Sequence, residues 1–301
     1  MTASILDVTR VSKHYGKVKA LDQVSFSIEE NQICGLLGRN GAGKTTLMHL
    51  ITAQAFASEG SIKVMGEEPF ENNRVLRQMI FIKESQQYVK SMKISDVLDV
   101  SALLFPHWDA TYAKRLIREF NLPAERHVKK LSRGMTSALG IVVGLASRSP
   151  LTIFDEPYLG LDAAARVLFY DLLLEDYGLH PRTIVLSTHL IDEISKLLER
   201  ILVIEQGKLI VDKDADELRG MAYTVTGGAG HVAAFTQNRQ VLHEEAFGGL
   251  KVATVLATPG ADDRNAAREQ LLEVGPVSMQ QLIIHLSKLD PSAATQGGYA
   301  K

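Results

Sequence analysis

Between residues 32–37, which read as a buried strand, and residues 44–54, whose apolar positions recur at helical spacing, lies Gly38-Arg39-Asn40-Gly41-Ala42-Gly43-Lys44-Thr45. The run fits G-x-x-x-x-G-K-[S/T] in the strand–turn–helix setting that the pattern requires. Few features restrict a fold as much. Such a loop works only if consecutive backbone N–H groups turn inward around a phosphate, and a sheet edge and a helix N-terminus must hold them there. Side chains at Gly38, Gly41 and Gly43 would obstruct the approach. Lys44 can bridge β- and γ-phosphates and the Thr45 hydroxyl can ligate Mg²⁺, with Arg39, Asn40, Ala42 and Thr46 completing the nucleotide-binding loop.

The flanking pattern agrees with an α/β fold. Residues 5–11, 18–21 and 24–28 have strand character ahead of the loop, and 61–64 and 79–82 have it afterwards. From residue 94 to about 145 the helical period dominates, broken at Pro106, Pro123 and Gly134. Strand and helix then alternate over 151–154, 164–175, 183–187, 191–198 and 201–204, which implies a largely parallel sheet with crossover helices. After Asp216 the texture changes. Residues 222–226 and 251–257 read as strands, 227–230 as a loop, and 262–273 and 278–289 as helices. The expected organisation is a nucleotide-binding domain over 1–215 with a helical subdomain over about 86–146, an α+β appendage over 216–290, and a disordered tail over 291–301.

The apolar strand 151–154 ends in Asp155-Glu156. A buried strand would deliver Asp155 to the carboxyl edge of the sheet, where α/β proteins place ligands. There one acid can hold the metal shell while Glu156 orients or deprotonates a water. Alone, the same ending is equally a solvated acidic turn; downstream of a phosphate loop it points to hydrolysis.

Further motifs carry a resemblance. Leu131-Ser132-Arg133-Gly134-Met135 resembles the LSGGQ signature of ABC ATPases, Gly160-Leu161-Asp162 their D-loop, and Leu186-Ser187-Thr188-His189-Leu190 their switch-histidine motif. Tyr15, in Lys13-His14-Tyr15-Gly16, matches the aromatic that stacks on adenine. Taken singly, Tyr15 and His189 are ordinary packing or surface residues and Ser132 a helix cap. Their order and spacing with the phosphate loop span residues 5–215, and on that set the chain is identified as a member of the ABC ATPases.

The resemblance implies a P-loop NTPase with a RecA-like core, an N-terminal antiparallel β subdomain, an inserted α-helical subdomain and a small C-terminal extension. It implies ATP and Mg²⁺ as cofactors. Two subunits, identical or paralogous, would pack head to tail. The phosphate loop and Glu156 of one and Ser132 and Gly134 of the other would then enclose each ATP. Lys44, Glu156 and His189 would be catalytic, Asp162 would connect the two sites, and Thr45 and Asp155 would hold the metal. Arg133 and Met135 depart from the signature, and Arg133 brings bulk and charge to the interface. The Q-loop ligand falls on Glu84 or, close behind, Gln86.

Composition sets the partners. The longest apolar run, 138–146, is far below the roughly 20 residues of a membrane helix, so separately encoded permease subunits would supply the span. The segment 88–108, with Phe105 and Trp108, would receive them. The first ten residues lack an apolar core, and no secretion signal is expected. With a formal net charge of −2 there is no basic field for nucleic acid. A single cysteine, Cys34, excludes an internal disulfide. A cytoplasmic protein, peripheral on the inner face of the cell membrane, is expected. The stretch from Pro276 to Ile284 resembles a helix near the ends of exporter-type ATPases, which favours export and a dimerising or regulatory extension. The competing readings are a nucleotide-binding regulatory subunit without turnover and a non-transport ABC ATPase acting on ribosomes or DNA.

Overall fold

In the computed structural model, residues 3–84 and 86–288 are described. Strands β1 (Ser4–Tyr15) and β2 (Val18–Glu29) form an antiparallel hairpin. The expected strands 18–21 and 24–28 are one strand, kinked where Gln23 takes φ 49°. After β3 (Ile33–Leu37) and helix α1 (Lys44–Ile51), strand β4 (Glu59–Val64) pairs with β1, giving the order β2-β1-β4. Leu6, Val8, Val11 and Leu21 are buried on this sheet.

A short helix α2 (Asn73–Leu76), capped by the Asn72 side chain, precedes β5 (Met79–Lys83). The helical block follows as α3 (Ile94–Leu104), α4 (Ala110–Glu119) and α5 (Arg133–Ala146). Asp109 and Ser132 start the last two by accepting hydrogen bonds from Tyr112 N and Met135 N. Gly134, read from sequence as a break, sits in the first turn of α5. The apolar run 138–146 is buried, and a Cβ at Gly144 would lie 2.5 Å from the Phe154 ring, so α5 needs glycine there to lie against the sheet.

Strand β6 (Leu151–Asp155), helix α6 (Ala163–Leu179) and strand β7 (Thr183–Thr188) complete the core. Strands β5, β6, β7 and β3 run parallel in that order. Every residue of β3, β6 and β7 is buried, as expected for strands covered on both faces. The register aligns Leu37 with Thr188, Ser187 with Asp155, and Asp155 with Lys83. The phosphate loop, Glu84, Glu156 and His189 therefore leave the sheet at the same edge.

The chain then forms α7 (Ile191–Ile194), β8 (Arg200–Glu205), β9 (Lys208–Asp214), α8 (Ala215–Gly220), β10 (Tyr223–Gly228), α9 (Ala229–Thr236), β11 (Val241–Phe247), β12 (Leu250–Val255), α10 (Ala261–Glu269), β13 (Glu273–Pro276) and α11 (Met279–Lys288). Two compact units result: the chain through His189 with Ile204–Leu209, and Leu190–Val203 with the residues from Ile210 onward. The second contains an antiparallel sheet in the order β11-β12-β10-β13, with Tyr223, Val225, Val232, Phe235, Ala253, Val255, Ala267 and Leu272 as its core. The loop expected at 227–230 is instead the end of β10, where Gly227 and Gly228 pair with β12, and the start of α9, whose Val232 and Phe235 bury one face of the helix. The helix expected over 262–273 ends at Glu269, and Glu273–Pro276 pair with β10 as a strand. The expected tail 291–301 lies outside the described residues.

Candidate functional site

At the carboxyl edge of the parallel strands lies a cavity of about 700 Å³. Asn40 to Thr46, Glu84, Arg133, Asp155, Glu156 and His189 line it, together with Val18–Ala20, Leu159, Gln206 and Gly207. Gly43 has φ 115°, and a Cβ there would stand 2.7 Å from the Ala20 carbonyl oxygen, so only glycine lets the loop turn into α1. The amides of the loop and of the first helical turn have no partner within α1, which is the ordinary source of an anion site.

Lys44 is buried, and its Nζ donates to the Gly38 carbonyl at 2.7 Å and the Arg39 carbonyl at 3.4 Å. Its Nζ is also 3.7 Å from Glu156 Oε1. The ammonium is held at the cavity by the same loop that presents the amides. Thr45 Oγ1 donates to Asp155 Oδ2 at 2.8 Å, and Ser187 Oγ donates to Asp155 Oδ1 at 2.7 Å. Two hard oxygens thus stand side by side, Thr45 Oγ1 and Asp155 Oδ2, the donor type that Mg²⁺ selects. The residues present fit that ion together with a phosphate chain.

Glu156 follows β6 at φ 48°, a left-handed conformation that turns its carboxylate back over the cavity. Its Oε2 is 3.1 Å from His189 Nδ1. The Tyr158 hydroxyl is also 3.1 Å from His189 Nδ1, accepts from Thr188 Oγ1 at 2.9 Å and accepts from His189 N at 3.2 Å. Tyr158 is buried, so it fixes the histidine from behind while Glu156 meets it from the cavity side.

Not every sequence-predicted residue joins the cavity lining. Gly38 and Arg39 contribute carbonyls to Lys44. Tyr15 lies outside the lining at the end of β1, with half its surface exposed and Lys13 Nζ 4.9 Å from its ring centre. Ser132 and Asp162 cap α5 and α6, and both are exposed. Gly134 packs on the D-loop stretch of its own chain, where an added Cβ would lie 2.5 Å from the Gly160 carbonyl oxygen. Of the two Q-loop candidates, Glu84 lines the cavity, whereas Gln86 Oε1 folds back to within 3.5 Å of Lys83 N. Arg133 turns into the cavity and forms an ion pair with Glu84. Sequence reasoning missed Tyr158, the Ser187 hydroxyl and this role for Arg133. The only early sign of any of them was that Arg133 and Glu84 both depart from the motif.

Comparison with known proteins gives consistent findings. Residues 21–159 match the family model described as ABC transporter. The chain is 30% identical over 215 residues to the ABC transporter ATP-binding protein YtrB of Bacillus subtilis, an alignment covering 71% of this chain and 74% of that protein. It is 33% identical over 222 residues to the Nod factor export ATP-binding protein I of Sinorhizobium fredii, covering 69% of this chain and 62% of that protein. Among solved structures, an ATP-binding subunit of an ABC transporter superposes with a TM-score of 0.65 at 25% identity, covering 71% of this chain and 92% of that one.

Proposed function

Because this chain belongs to the ABC transporter family, as an ATP-binding and ATP-hydrolysing subunit, we propose a division of labour among its own residues. The observation that carries it is the Glu156 carboxylate, placed between Lys44 Nζ and His189 Nδ1 at the rim of the phosphate loop. The loop amides and Lys44 hold the β- and γ-phosphates. Glu156 orients the attacking water and accepts its proton, and His189, kept in place by Tyr158 and Thr188, meets the terminal phosphate. Thr45 and Asp155 would hold Mg²⁺, which when bound neutralises phosphate charge and fixes its geometry.

Ser132 and Gly134, at the N-terminus of α5, do not line their own chain's cavity, and Ser132 is exposed. This supports a head-to-tail dimer in which they meet the nucleotide of a second copy or a paralogue, with Asp162 linking the two sites. Tyr15, with an exposed ring at the sheet end, is suited to stack on adenine. No helix among the described residues is long and apolar enough to cross a membrane. Val100, Leu103 and Leu104 leave an exposed apolar strip on α3. That strip supports docking of a separate membrane-spanning permease near 88–108, which would place the subunit at the inner face of the cell membrane. The relative named for Nod factor export favours export. Residues 216–290 would serve as a dimerising or regulatory extension.

Phosphate release from the purified protein, compared with Glu156→Gln, tests the reading. A loss of roughly 100-fold or more in the variant, typical when a group acting in the transition state is removed, is expected. Equal rates would favour a binding-only subunit.

A further inference from the structure

Two of the positions at which the motifs of this chain depart from the family pattern meet in space. Glu84 leaves the carboxyl end of β5, and Arg133 opens α5, 49 residues later in the chain; their side chains form an ion pair. Both line the cavity that contains Lys44, Thr45, Asp155 and Glu156. The path of Arg133 is built in. Gly160 takes φ 91°, and a Cβ there would stand 2.9 Å from Arg133 Cγ, so the absent side chain leaves the lane along which the arginine runs. The close approach of Gly134 to the Gly160 carbonyl fixes the start of α5 beside that lane.

A carboxylate paired with a guanidinium is a poor ligand for a cation, because the arginine occupies its lone pairs and cancels its charge. Unpaired, the same carboxylate is a hard oxygen donor beside Thr45 and Asp155. Both side chains are partly exposed, at 66% for Arg133 and 43% for Glu84. A pair of that exposure is weak enough for a bound ligand to open.

We infer that Arg133 is a positioning residue acting through Glu84 within its own chain. It keeps the Glu84 carboxylate occupied in the ion pair, and Glu84 becomes available to a metal only when this pair opens. This rests on the reading of the cavity as the ATP site. Ligand occupancy at the phosphate loop is thereby tied to the first turn of α5, the segment offered to a second subunit.

The test measures equilibrium ATP affinity in EDTA and in excess Mg²⁺, and takes their ratio as the metal enhancement. Arg133→Ala frees Glu84 and should raise that ratio by about fivefold, the fold-change matching an exposed ion pair at the top of its usual range. Arg133→Lys, which keeps a cation, should stay nearer the wild type. In a Glu84→Gln background, Arg133→Ala should leave the ratio unchanged. A rise of equal size in that background would show that Arg133 acts on the phosphates directly and would overturn the inference, as would no rise in the single variant. Wild-type protein that binds no ATP under either condition would overturn the reading of the cavity and this inference with it. Tight ATP binding with an indifferent ratio sinks the inference alone.

Discussion

Replacing Tyr158 by Phe removes one oxygen from a buried ring and tests how His189 is held. That oxygen accepts from Thr188 Oγ1 and from the His189 amide, and faces His189 Nδ1 at 3.1 Å. Without it, two donors lose the acceptor they use, in a region where Tyr158 is only 3% exposed. Leaving buried donors without that acceptor costs about 1–3 kcal/mol. For a unit of this size each kcal/mol lowers the melting temperature by about 2–4 °C, so a fall of about 2–12 °C is expected. The imidazole also loses the contact that opposes Glu156, and its ring is free to turn. Misplacement of a reacting group by about 1 Å costs up to about 100-fold in rate, so kcat for phosphate release should fall by about 10- to 100-fold. KM for ATP should change little, because the phosphate loop is untouched. Differential scanning fluorimetry and steady-state phosphate release measure both quantities. A variant that melts with the wild type and turns over at the same rate would refute the claim that this hydroxyl positions the histidine.

Other outcomes follow from the same geometry. Gly134→Ala places a methyl group 2.5 Å from the Gly160 carbonyl oxygen and forces backbone movement; a loss of about 1–3 kcal/mol in chemical denaturation is expected. Ser187→Ala takes one of two hydroxyls from the Asp155 carboxylate and should weaken the Mg²⁺ dependence of ATP binding more than metal-free ATP binding, by titration calorimetry. In the second unit, the hydrogen bond from Arg239 holds the Asp263 carboxyl below the usual aspartate range, against the opposing effect of burial. Its stabilising contribution is present above the unfolded aspartate pKa and is lost as pH falls through the lower folded value. Melting of that unit should therefore drop on acidification in the wild type, and less so in Asp263→Asn. Photo-crosslinkers at Met92 or Trp108 should capture a co-expressed permease, and capture only from distant surface positions would count against docking at α3.

How much of this was legible in the sequence depended on how local each signal is. The phosphate loop, the apolar strand ending in Asp155 and the serine cap before α5 are fixed by neighbours a few residues away, and the structure places them as their patterns require. The role of Arg133 was not legible, because its partner lies 49 residues earlier and only the packing of α5 on the sheet brings them together. Tyr158 gave no signal, since a tyrosine two residues past an acidic turn reads as packing until its hydroxyl is seen facing His189. In the second unit, pairing with β12 holds Gly227 and Gly228 in a strand, and burial of Val232 and Phe235 makes the residues after them a helix, tertiary effects that local propensity does not contain. Strands β11 and β13 were missed for the same reason, since each is defined by its partner strand more than by its own residues.

The central claim is that an ATP bound at Lys44 of one chain is closed over by Ser132 of another. Sedimentation of Glu156→Gln protein with excess Mg·ATP tests this most directly. The account predicts that the 33.1 kDa species doubles in mass, and that adding Ser132→Arg returns it to a single chain that still binds nucleotide. Nucleotide bound without any change in mass, or a dimer indifferent to Ser132→Arg, would contradict it.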